Sequence, residues 1–110
     1  MGLAASQARL LSLTARKSDL ELKGQFINQN RMMLANAVGA LFSQSASLEP
    51  DSKEAKAIQS RIERLQSVDS MLEMHLRRVD TQQQAVQTEI SAVQKVIDKN
   101  IDMSFKTFGN

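Results

Sequence analysis

Side chains that could do chemistry are few and scattered in this chain of 110 residues. His75 is its single histidine and cysteine is absent. A metal centre needs several nitrogen, sulfur or carboxylate ligands converging at fixed spacing. Here the imidazole lacks a co-ligand of its own kind, and Glu73 and Glu89 stand isolated. Flanked by Met74, Leu76, Arg77 and Arg78, His75 reads as the surface or seam edge of a helix. Nucleophile–base arrangements, Gly-rich phosphate loops and metal-binding spacings do not occur. General acid–base work needs groups gathered in a pocket, and a thin helical pair offers little concavity. The expectation is no catalytic residue, no cofactor and no metal: not an enzyme.

Phosphate recognition fares no better. Arg77 and Arg78, with Arg9, Arg16, Lys17, Lys23 and Arg31, could touch phosphates, but no aromatic residue is interleaved for base stacking. Lys plus Arg number 14 against 12 Asp plus Glu, and like charges form no block. The basic residues read as solvated faces, and nucleic acid is not an expected partner. Absent cysteines exclude a disulfide framework without fixing a compartment. The opening Met1-Gly2-Leu3-Ala4-Ala5-Ser6 fits the loose N-myristoylation pattern, though a small-residue helix start explains it as well.

The element that organises the chain is a heptad seam. Ile58, Leu65, Leu72, Val79, Val86 and Val93 recur every seven residues. Ile62, Leu76, Ile90 and Ile97 follow four residues behind, the pattern of a long helix lying along another. Asp69 and Gln83 interrupt this second row. Polar residues there either fix register or face a gap or solvent. Upstream, Leu13, Leu20, Ile27, Leu34 and Leu41 form a matching series, but Lys17, Gly24, Arg31 and Val38 follow it, so the second row of that helix is mostly missing. The first helix therefore reads as an amphipathic partner rather than a free-standing coiled coil. Ser18 with Glu21 could cap a helix, which leaves open a break near 16–18.

One interruption stands between the two series. Ser43 to Ser52 holds the only proline, Pro50, which disfavours helix at Glu49, and Asp51 with Glu54 makes a candidate capping box. The expected fold class is all-α: a long antiparallel helical hairpin, a single domain over 1–110, with helices over about 3–46 and 51–103 and a loop at about 44–51. The second helix would run roughly 75 Å. The intramolecular seam is expected from Leu20, Ile27, Leu34, Leu41, Ile58, Ile62, Leu65, Leu72, Leu76, Val79, Val86 and Ile90. Opposed positions should sum to about 103 for a turn centred near residues 50–52, which would set Met32 and Met33 against Met71 and Met74 as packing residues.

Both chain ends are more apolar than a seam requires. Leu3, Leu10, Leu11 and Leu13 at one end, with Val93, Val96, Ile97, Ile101, Met103, Phe105 and Phe108 at the other, cover more than one face. Such surface marks contact with another chain, and these residues are the candidates for self-assembly.

The turn Ser47-Leu48-Glu49-Pro50-Asp51 and the C-terminal stretch Val96-Ile97-Asp98-Lys99-Asn100-Ile101, in a small cysteine-free chain, resemble the helical-hairpin subunits of type III secretion needles and the terminal-helix regions of flagellar axial proteins. The opening Met-Gly-Leu-Ala-Ala-Ser-Gln-Ala-Arg-Leu-Leu is also similar to the start of a group of small bacterial proteins. The resemblance implies a bacterial structural protein that assembles with itself into a filament, needle or tube. No cleavable signal is evident, so it implies signal-less secretion to the cell surface or exterior, with a secretion chaperone as a further partner. The alternative is a cytoplasmic coiled-coil adaptor or secretion chaperone. A third, weaker reading is a peripheral membrane protein using its apolar N-terminus; no apolar run is long enough to span a bilayer.

Overall fold

The structure, a computed structural model, describes residues 2–109, with side chains from 2 to 107. It is all-α. Helix α1 covers Leu3–Ser45 and α2 covers Lys53–Gly109, 43 and 57 residues long, and they form the two arms of an antiparallel hairpin. Good helix formers fill both segments, and the one strong breaker, Pro50, lies between them. Packing resolves two compact units. Unit 1 joins Met1–Lys23 with Val79–Asn110, and unit 2 is Gly24–Arg78 with the turn.

The turn is built from two successive backbone bonds. The Leu48 amide donates to the Ser45 carbonyl at 3.1 Å, and the Ser52 amide to the Glu49 carbonyl at 3.0 Å. Pro50 is the second residue of the latter turn, where its fixed φ is already suitable. The final carbonyls of α1 are met partly by hydroxyls: Ser45 Oγ donates to Phe42 O at 2.9 Å and Ser47 Oγ to Gln44 O at 3.0 Å.

The cap of α2 is Ser52, one residue beyond the expected Asp51. Ser52 Oγ accepts from the Ala55 amide at 3.1 Å and donates to Glu49 O at 2.8 Å, while its carbonyl takes the first helical bond from Lys56. Asp51 is the third residue of the preceding turn, so Ser52 is the residue that meets the first free amides. The alternative break near 16–18 does not occur, because α1 runs through it without interruption. The seam continues on both sides of that point, at Leu13 and Leu20, which are both buried. A seam of that kind outweighs a single capping signal worth about 1 kcal/mol. At the other end α2 continues past the expected residue 103 to Gly109.

Within unit 1 the inward positions of α1 are Leu3, Ser6, Leu10, Leu13, Lys17 and Leu20, facing Val79, Gln83, Val86, Ile90, Val93 and Ile97 of α2. Arg9 and Glu89 close one flank at 2.6 Å. Ser6 is completely buried, and its hydroxyl has no hydrogen-bond partner among the described residues. Unit 2 repeats the scheme with Gly24, Ile27, Arg31, Leu34, Val38 and Leu41 against Ile58, Ile62, Leu65, Asp69, Leu72 and Leu76. The second row of α1, expected to be mostly missing, is therefore present. Lys17, Gly24, Arg31 and Val38 are all half-buried in it.

Replacing Ser52 by Ala should cost about 1 kcal/mol, the usual value of an N-cap. Asp51→Ala should stay within about 0.5 kcal/mol of the parent. Urea unfolding at one fixed protein concentration checks the difference, and equal losses at the two positions would contradict the Ser52 cap.

Candidate functional site

The strongest polar arrangement lies inside the seam of unit 2. Arg31 Nε donates to Asp69 Oδ1 at 2.9 Å and Nη2 to Oδ2 at 3.3 Å, a two-pronged pair joining the two helices. The planar guanidinium suits this geometry as a lysine would not. The side chains retain 30% and 38% exposure, so water still reaches both. The hydrogen bond from Arg31, more than its charge, holds the Asp69 carboxyl below the usual carboxylate range despite partial desolvation. The bond to Asp69 likewise raises Arg31 above its ordinary value. Of the two readings open for Asp69, the structure shows the inward, paired one. Gln83 is also turned inward and half-buried, in unit 1.

With this pair in place, opposed positions of unit 2 sum to 100, not about 103. A sum of 100 places the centre of the turn at residue 50, at the near edge of the expected 50–52. The same register brings Gly24 level with Leu76, a small residue against a large one, and Val38 level with Ile62. It also removes the expected methionine packing. Met32, Met33, Met71 and Met74 are 59–68% exposed, outside the seam.

Chemistry beyond this pair is sparse. His75 is exposed, and Arg77 bonds Glu73 at 2.8 Å one helical turn away, an exposed pair of small energetic weight. A shallow groove beside Arg31 and Asp69 is lined by Asn28, Met32, Ala35, Leu65 and Gln66. Among the described residues no three His, Cys, Asp or Glu gather where they could hold a metal ion. No described helix is long and apolar enough to cross a membrane.

All twelve residues expected in the intramolecular seam are buried or half-buried. The candidates for self-assembly divide. Leu13 is 3% exposed, and Leu3, Leu10, Val93 and Ile97 are half-buried along the same seam, so their apolar surface is largely spent within the chain. Leu11, Val96, Ile101, Met103 and Phe105 remain outside it, at 39–76% exposure. Phe108 lies outside the described side chains.

A second exposed apolar surface escaped the sequence reading. Phe26, Met32, Met33 and Phe42 on α1 of unit 2 are all more than half exposed. From Gly24 to Ser45 the only charged residue is Arg31, and that one is turned into the seam. The facing stretch of α2, Lys53 to Arg78, carries ten charged residues. That imbalance is visible in the sequence once the seam positions are subtracted from each helix. Its meaning depends on knowing that Arg31 points inward.

Comparison with protein families, curated proteins and solved structures gives no match.

The lowered Asp69 value ties stability to pH. A carboxylate more acidic when folded contributes above its unfolded value, about 4, and loses that contribution as pH falls through its folded value. Acid titration of the parent should therefore show a loss of stability below about pH 4 that is smaller in Asp69→Asn. At neutral pH, Asp69→Leu alone should lower the urea midpoint, because it leaves a half-buried guanidinium unpaired. The double variant Arg31→Leu/Asp69→Leu should recover part or all of that loss; if it falls further instead, the two groups are not a coupled pair.

Proposed function

We propose that this chain is a structural subunit that assembles with copies of itself into a filament, needle or tube. The observation that carries the reading is the C-terminal part of α2. From Ile101 onward every described side chain is exposed, including Ile101, Met103 and Phe105, although the helix continues to Gly109. A helix exposing apolar residues on several faces is stable when other chains cover it. Leu11 and Val96 in the same unit add to the surface.

The exposed area supports the same reading. The chain exposes 8348 Å² at 12.2 kDa, where a compact monomer of that mass exposes about 6,100 Å². The excess, roughly 2,200 Å², exceeds what one standard protein–protein interface buries in total. Covering apolar area at about 25 cal/mol per Å² supplies the drive, and a head-to-tail contact that does not close propagates indefinitely. Export to the cell surface or exterior belongs to this proposal, as the needle-like resemblance implies.

Negative-stain microscopy of the purified protein should show filaments or tubes, with light scattering that rises with concentration. Ile101→Asp combined with Phe105→Asp should abolish them while circular dichroism stays strongly helical. These positions are better probes than Ile97, whose side chain also serves the seam. A species no larger than a dimer at every concentration would sink the filament and favour a cytoplasmic adaptor or chaperone.

A further inference from the structure

The uncharged outer face of α1 in unit 2 is distinct from the apolar surface of unit 1. It consists of Phe26, Gln29, Met33, Asn36 and Ala40, spaced alternately three and four residues apart and all exposed. That spacing repeats, on the opposite side of the helix, the pattern by which α1 packs on α2. Solvent-facing positions of a helical pair are normally charged, as they are on α2 here. A face with neutral amides and apolar groups alone gives nothing to the charge-selective partner pairing found in coiled coils. It also lacks the lysines and arginines with which helices lying on membranes hold anionic lipid.

Gly39 borders this face. It costs the helix about 1 kcal/mol relative to alanine. A Cβ added there would meet nothing within 4 Å, and its φ is not positive. Nothing inside the chain accounts for a glycine at this position, whereas close approach by a second backbone would.

We propose that the face pairs with the same face of a second copy, antiparallel, about a two-fold axis at Met33. In that register Phe26 meets Ala40 of the partner subunit, beside the space left by Gly39 of the partner subunit. Gln29 meets Asn36 of the partner subunit, amide to amide, each able to donate and accept. The two Met33 side chains meet on the axis, where a flexible thioether adapts to its own image. Large residues fall opposite small ones and amides opposite amides without any charge being buried, which is the self-complementarity an isologous interface requires. The pairing deepens the assembly reading by supplying one of its contacts, and it uses none of the residues of unit 1.

The chain has no cysteine, so Met33→Cys introduces a single thiol. On mild oxidation of the full chain, non-reducing electrophoresis should show a covalent dimer. Met74→Cys, at a position 61% exposed on α2 of the same unit, should remain monomeric. In the Met33→Cys background Phe26→Glu should weaken dimer formation by roughly tenfold or more, and adding Ala40→Lys should restore it by pairing the two charges across the axis. Cross-linking at Met33 no better than at Met74, or insensitive to Phe26→Glu, overturns the pairing. Filaments that form without a Met33 cross-link retain the assembly reading and reject this contact. A cross-linked dimer that never grows larger does the reverse.

Discussion

The register of the helices in unit 2 joins Arg31 to Asp69 across the seam, and that pairing penalises the alternatives. Heptad seams built only from leucine, isoleucine and valine are nearly indifferent to a slip of seven residues, because every apolar layer then meets another apolar layer. A slip of that size here would set Arg31 against Ile62 or Leu76, and Asp69 against Gly24 or Val38. Each displacement strands a half-buried charge in an apolar layer, the arrangement that costs most. Because both groups keep contact with water, their pairing adds only a modest net gain. Their main effect is to make the wrong alignments worse.

Once the register is fixed, the other irregular residues of the seam fall into place. Gly24 falls level with Leu76 in this register, a small residue against a large one. Ser52 both ends the turn and starts α2, and its single hydroxyl bonds to groups on either side of itself. Ser6 runs against this pattern, since a hydroxyl buried without a partner among the described residues is a cost.

The heptads, the turn around Pro50 and the two-helix plan were legible because periodic apolar residues dictate them directly. The second row of α1 was not, since Lys17, Gly24 and Arg31 carry no apolar signal and belong to the seam only by virtue of what faces them. Register was misjudged by about three positions, because a proline marks a turn without marking its centre. The neighbouring Asp51 and Ser52 are equally good capping residues, and only the geometry of the turn selects between them. Apolar character at the chain ends was legible, but its division between seam and surface was not. Leu10 and Leu11 differ by one position, and one faces the seam while the other is 74% exposed.

The distribution of charge links the fold to its proposed use. Placing the one charged residue of α1 in unit 2 inside the seam leaves the outside of that helix neutral, while α2 carries the charges that keep the pair hydrated. A two-helix unit has too little interior to satisfy all its apolar residues, so some must remain outside. Concentrating them on α1 in unit 2 and near the end of α2 in unit 1 leaves one uncharged surface and a second on which apolar side chains stand among charged ones. Two surfaces are the minimum from which identical subunits can build beyond a dimer, since one self-complementary face alone closes after a single pairing.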